Sequence, residues 1–202
     1  MQIRINAASP FARKVRIIVR ETGLTDRVEE IQTAVSPVTP NADLAGQNPL
    51  IKIPALTLAD GTALYDSRVI CEYLDSLAGT NLFPHSGPDR WRALCLQALC
   101  DGILDAAVMI RYEVAVRPEP IRWSKWIDGQ RSKIEGGLAA LEQAQPQFGA
   151  PFDIGQIGAA CVLGYLDFRF PEMDWRSRYP GLQAWFEGTS KRASVRDTFP
   201  VA

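Results

Sequence analysis

The chain changes grammar near residue 80, and that change limits its folds more than any other feature. In the first part, short alternating apolar stretches suited to strands are interleaved with helical ones. Ile3 and Ile5 alternate with polar neighbours, and Phe11, Val15, Ile18 and Val19 then recur at helical spacing. Val28 to Ile31 offers a second short strand, so the opening reads as a β-α-β unit. After a loop holding Pro37, Pro40 and Pro49, Ala55 to Ala59 and Thr62 to Tyr65 flank the turn dipeptide Asp60-Gly61, the pattern of a tight β-hairpin. Val69, Ile70, Tyr73, Leu74 and Leu77 mark a helix ending near Gly79.

That order, β-α-β, loop, β-β-α, is the order of a thioredoxin-like domain, expected over residues 1–80. From residue 87 onward no stretch reads as a strand. Trp91, Leu94, Cys95, Ala98, Gly102, Asp105, Ala106 and Met109 trace one helical face, and Leu96, Leu99, Ile103 and Ile110 a second, so this helix is expected to be covered on more than one side. Trp123, Ile127, Ile134, Leu138 and Leu141 give a second long helix. Asp153-Ile154-Gly155-Gln156 has the form of a capping box, in which the Asp carboxylate accepts from the Gln156 backbone N–H and the Gln side chain reaches back. It opens Ile157 to Phe168, apolar on nearly all sides and so suited to the centre of a bundle. Leu182, Trp185 and Phe186 make a last amphipathic segment before an irregular tail from about Arg192. The fold class is therefore α/β plus all-α: a thioredoxin-like domain over 1–80, a linker at 81–86 among Gly79, Pro84, Gly87 and Pro88, and a helical bundle over 87–202. A length of 202 residues accommodates two such small domains.

Charge and reactive side chains exclude several function classes. The 22 Lys and Arg residues against 23 Asp and Glu give a formal net charge of -1. Up to residue 80 there are 8 basic and 9 acidic residues, and beyond it 14 of each, so neither part carries a field suited to nucleic acid. The N-terminus lacks a basic segment followed by an apolar one, and no run approaches the roughly 18 apolar residues of a membrane span. A cytoplasmic protein with no membrane partner is expected. Cys71, Cys95, Cys100 and Cys161 form no C-x-x-C pair and lie in apolar helical stretches, where reduced core thiols are expected. The single histidine, His85, sits in a turn-like Phe83-Pro84-His85-Ser86-Gly87-Pro88, so a histidine zinc site or histidine-based triad is hard to build and no metal is expected.

Three stretches of the first domain carry chemistry together. Ser9-Pro10 opens the first helix, where a hydroxyl cap, backbone N–H groups and the helix dipole favour negative charge. In Asn48-Pro49-Leu50-Ile51-Lys52-Ile53-Pro54-Ala55-Leu56 a proline enters a strand. A cis Ile53-Pro54 bond would turn the Ile53 N–H and C=O away from the sheet, toward a peptide-like ligand. Asp66-Ser67 opens the third helix, where a hydroxyl and exposed N–H groups suit a carboxylate and the Asp side chain an ammonium group. Each stretch alone reads as an ordinary cap or turn. Combined, they describe a site for a small peptide with a thiol and an α-amino-acid end, which glutathione fits.

At these residues the chain resembles the glutathione S-transferase family. Ser9-Pro10-Phe11-Ala12-Arg13-Lys14-Val15, Asn48 to Leu56 and Asp66-Ser67 are similar to the family's N-terminal landmarks, and Tyr179-Pro180-Gly181-Leu182-Gln183-Ala184-Trp185 to its C-terminal one. The helical stretches 98–106 and 161–169 look like a bacterial subgroup of largely uncharacterised members. The resemblance implies glutathione as cosubstrate, a small hydrophobic electrophile, a homodimer and a ligand cleft between the domains. Ser9 would be the catalytic hydroxyl, donating to the glutathione sulfur. Lys52, Ile53, Pro54, Asp66 and Ser67 would bind the peptide. Phe11, Ala12, Met109 and Tyr112, with Ile110 and Trp123 as further candidates, would line the electrophile pocket.

Two positions depart from the family pattern. Ile51 stands where many members carry Gly, and Asp66 where Glu is frequent. With Ser at position 9, the thiol transfer of omega-type members has no cysteine to work through. The alternative from a different class is a non-catalytic scaffold of the same fold that binds other proteins, for which Ile51 is the favouring feature.

Overall fold

In the computed structural model, which describes residues 1–149 and 151–201, the expected first strand runs Gln2–Ile5 (β1) and leads into α1, Pro10–Glu21. Then come β2 (Glu29–Gln32), α2 (Ala42–Ala45), β3 (Ala55–Thr57), β4 (Ala63–Leu64) and α3 (Ser67–Ala78). The sheet order is β2-β1-β3-β4, with β1 and β2 parallel and the β1-β3 and β3-β4 pairs antiparallel. Ile3, Ile5 and Leu56 are fully buried, each worth roughly 1.5–3 kcal/mol relative to exposure. The hairpin turn depends on Gly61 at φ +87, while the Asp60 carboxylate accepts from the Thr62 N–H at 2.9 Å. Of these elements, α2 falls where a loop was expected. One turn needs no periodicity: Asn41 caps it by accepting from the Leu44 N–H at 3.1 Å, and the buried Leu44 anchors it.

The chain divides into two compact units, Met1–Phe83 with Ala193–Ala202, and Pro84–Arg192, with position 202 itself outside the described residues, as is position 150. The first boundary lies three residues beyond the expected one. The buried Asp75 carboxylate accepts from the Thr80 hydroxyl at 2.5 Å and from the N–H groups of Leu82 and Phe83 at 3.0 and 3.1 Å, tying that segment to α3. Gly79, at φ +67, ends the helix just before it. The second boundary corrects the sequence reading, which placed the tail with the bundle. Residues Ala193–Arg196 form α9, Val195 is buried, and Arg13 of α1 donates to the Val195 carbonyl at 3.0 Å while lying over the Phe199 ring. Ser194 also hydrogen-bonds Glu21.

The second unit comprises α4 (Gly87–Ala115), α5 (Ser124–Ala144), α6 (Ile154–Arg169), α7 (Trp175–Arg178) and α8 (Pro180–Thr189). Every residue from Ile154 to Leu166 is buried, as the all-round apolar pattern required. Half of the expected capping box forms: Asp153 accepts from the Gln156 N–H at 3.0 Å. The Gln156 side chain instead donates to the Gly149 and Pro151 carbonyls. At Gly155 and Gly158 a Cβ would come within 2.7 Å of Leu96 and 2.9 Å of Cys100, so these glycines let α6 close onto α4.

Both α6 and α5 cover α4, as the two apolar faces led one to expect, but the first of those faces is not the covered one. The buried side of α4 runs through Ala93, Gln97, Cys100, Leu104 and Ala107, while Trp91, Cys95, Ala98, Gly102 and Met109 are exposed. Apolar residues surround the whole helix, so periodicity could not choose the side that the α6 glycines select. Cys95 is accordingly an exposed thiol, whereas Cys71, Cys100 and Cys161 are buried as expected. An 18-residue window of α4 also reaches a mean hydropathy of 1.8, long and apolar enough to cross a membrane, although half of it is buried against the protein as in a core helix.

Candidate functional site at the end of the sheet

Strand register decides which predicted residues meet. Arg4 pairs with Ala55 and Leu56 with Leu64, so the chain just past β1, the approach to β3 and the exit from β4 lie at one end of the sheet. Ser9, Ile53-Pro54 and Asp66-Ser67 belong to those three segments. Both α1 and α3, which pack together, begin there and direct their N-terminal N–H groups to the same end.

Ser9 is the N-cap of α1, with its hydroxyl oxygen accepting from the Ala12 N–H at 3.2 Å. A hydroxyl that accepts in this way keeps its own proton to donate. The preceding turn is set by Asn6, whose carbonyl accepts from the Ser9 N–H at 2.9 Å and whose side chain accepts from the Ala8 N–H. The Ile53-Pro54 bond is cis, and among the described residues no hydrogen bond engages the Ile53 N–H or C=O. Pro54 is buried, Ile53 half-buried and Lys52 exposed. Asp66 is exposed, follows a cis peptide bond from Tyr65, and caps α3 by accepting from the Arg68 N–H at 2.9 Å. Ser67 is 3% exposed, and its hydroxyl has no hydrogen-bond partner among the described residues.

Sequence reasoning gave no role to the side chain of Asn6, or to that of Asn48 within the stretch it singled out. Asn48, 2% exposed, donates from Nδ2 to the Lys52 carbonyl at 2.8 Å and accepts from the Leu50 N–H at 3.0 Å. Its backbone carbonyl accepts from the Ile51 N–H at 2.8 Å. The signal was an Asn before a proline in a loop, a residue type that hydrogen-bonds nearby backbone. Ile51 itself lies at φ +53, in the left-handed region that a β-branched side chain rarely enters.

The residues assigned to an electrophile pocket divide. Phe11 is half-buried, but Ala12 has no accessible surface and so cannot serve as a wall, because it turns to the buried side of α1. In the helical unit Met109, Tyr112 and Trp123 are exposed, whereas Ile110 is 2% exposed and belongs to the core. A cavity of about 240 Å³ in that unit, lined by Cys95, Leu96, Leu99, Phe148, Arg92 and Gln156 among others, contains none of the predicted site residues. Among the described residues no group of three or more His, Cys, Asp or Glu side chains is placed to hold a metal ion.

Residues 8–77 match the family model for the Glutathione S-transferase, N-terminal domain, and residues 124–188 that for the Glutathione S-transferase, C-terminal domain. The chain belongs to the glutathione S-transferase family. An uncharacterised GST-like protein of Escherichia coli (strain K12), YibF, is 31% identical over 197 residues, 95% of each chain. The crystal structure of a glutathione transferase family member from Pseudomonas fluorescens Pf-5 with bound glutathione is 48% identical, with a TM-score of 0.97 over 100% of this chain and 99% of that one. A further structure from that organism, with bound S-(propanoic acid)-glutathione, is 47% identical, with a TM-score of 0.92 over 99% of each chain.

Proposed function

We propose that this protein binds glutathione at the end of the sheet and activates its thiol for attack on a small hydrophobic electrophile. The observation that carries the reading is the meeting of Ser9, Ile53 and Ser67 at one end of the sheet, with two helix N-termini directed there. The glutathione and the glutathione conjugate bound in the two Pseudomonas structures support it. The Ile53 N–H and C=O pair with the peptide backbone, as an added strand would. Ser67 and the α3 N-terminus take the carboxylate of the γ-glutamyl end, Asp66 its ammonium group, and Lys52 the glycine carboxylate.

Ser9 supplies the chemistry. Its hydroxyl, positioned by the Ala12 N–H, donates to the sulfur, and the α1 N-terminus adds partial positive charge. Both favour the thiolate over the thiol, whose free pKa is about 8.5. One unit of lowering corresponds to about 1.4 kcal/mol. The thiolate attacks an electrophilic carbon, the leaving group departs, and Ser9 forms no covalent bond. The functional unit is a cytoplasmic homodimer, a state that light scattering on the eluted protein reads directly.

Retention on immobilised glutathione, followed by a pH titration of the bound thiolate's ultraviolet absorbance, tests the proposal. Ser9→Ala is expected to raise the midpoint by about one unit and to cut conjugation at neutral pH by about tenfold. A folded protein that ignores millimolar glutathione would instead favour the protein-binding scaffold, for which the left-handed Ile51 is the supporting feature.

A further inference from the structure

Within the helical unit, two packed helices bring cationic and phenolic side chains into electrostatic range of one another. Tyr165 and Arg169 stand four residues apart on α6, hence on one face, and Arg111 and Tyr112 lie near the C-terminal end of α4, against which α6 packs. The Arg169 guanidinium lies over the Phe168 ring, 3.9 Å from its centroid. Its Nε is buried without a hydrogen-bond partner, an unfavourable state for a donor. Among the described residues no carboxylate forms an ion pair with Arg169 or Arg111.

Neighbouring acids are committed elsewhere. Asp167 accepts from Trp175 and from both terminal nitrogens of Arg176. Glu113 accepts from Arg117 and the Trp123 N–H. Burial raises the Tyr165 phenol above its ordinary value of 10, against the opposing charge of Arg169 and Arg111 and a hydrogen bond in which the Arg169 side chain donates to the phenol oxygen, so the hydroxyl keeps its own proton to donate. Arg169 is in the last turn of α6, where a cation suits the helix dipole. The dipole explains one cation, but not its orphaned Nε, a second unpaired arginine and two nearby phenols.

We propose that Arg169 and Arg111, with the hydroxyls of Tyr165 and Tyr112, form a binding site for the carboxylate of a small organic acid. Guanidinium groups match a carboxylate through paired N–H donors, and a phenol adds a further one. The exposed Met109, three residues before Tyr112 and on its side of α4, offers apolar contact to the remainder of the molecule. The site lies wholly within the helical unit and stands independently of the glutathione reading.

Calorimetric titration of the full chain with sodium benzoate, and with benzamide as the neutral control, tests the site with and without saturating glutathione. Benzoate is expected to bind about tenfold more tightly than benzamide. Arg169→Gln should weaken benzoate about tenfold and benzamide less than about twofold, and Arg169→Lys should restore part of the loss. Arg111→Gln, an exposed position that leaves the core untouched, should weaken benzoate about threefold and decides the matter if Arg169→Gln does not fold. Equal binding of benzoate and benzamide, benzoate binding unchanged by these substitutions, or a loss seen only in Ser67→Ala overturns the proposal. Benzoate binding without glutathione binding would sink the transferase reading and leave the anion site standing.

Discussion

The Asn48 side chain donates to the Lys52 carbonyl at 2.8 Å from a position almost wholly shielded from water, so the loop carrying Lys52 and Ile53 hangs on one buried amide. Asn48→Ala would leave that carbonyl and the Leu50 N–H without their partner, a loss of roughly 1–3 kcal/mol. At about 2–4 °C per kcal/mol for a chain of this size, thermal unfolding should report a drop of several degrees. Asn48→Asp keeps the acceptor for Leu50 but loses the donor, and should also melt early. An unchanged melting temperature for the Asp variant would show that the Lys52 bond contributes nothing.

Ile51→Gly should stabilise the protein. An L-residue in the left-handed region costs roughly 1–2 kcal/mol, while glycine loses roughly 0.5–1 kcal/mol through chain entropy. The difference predicts a melting temperature higher by about 1–3 °C. A lower one would mean that the half-buried Ile51 side chain contributes more through packing than its backbone loses.

Acid should weaken the connection between α4 and α5. The Arg117 side chain, and after it the Trp123 N–H, hold the Glu113 carboxylate below its ordinary value of 4.5. Because the folded protein binds this proton less readily than the unfolded chain, the stabilisation is complete above about 4.5 and is lost as the pH falls through the folded value. Melting temperatures from pH 7 to 3 should therefore fall less steeply for Glu113→Gln than for the parent. Parallel curves would remove Glu113 from the account.

One thiol should react quickly in the native protein. Cys95 is exposed and the other three cysteines are buried, so a disulfide reagent should modify a single group per chain before denaturation and four after it. Cys95→Ser should abolish the fast phase. A fast phase that survives the substitution would contradict the packing of α4.

The element order, the proline at the entry to β3, the caps at Ser9, Asp66 and Asp153 and the centrality of α6 were all written in the sequence. They follow from local rules: two- and 3.6-residue periodicities, fixed proline geometry and short side chains that accept from nearby N–H groups. Even the left-handed backbone at position 51 had a trace, in the glycine that the family resemblance led one to expect there. Which side of α4 is covered was not legible, because a helix apolar all round has no preferred face until Gly155 and Gly158 let α6 approach one. Nor was the docking of the tail on α1, since the bond from Arg13 to Val195 joins residues 182 positions apart. The convergence of Ser9, Ile53 and Ser67 was an inference from combined motifs until strand register placed them at one end of the sheet. Sequence thus determined what is decided within a few residues. Tertiary structure decided what depends on shape complementarity between distant segments, which no local pattern encodes.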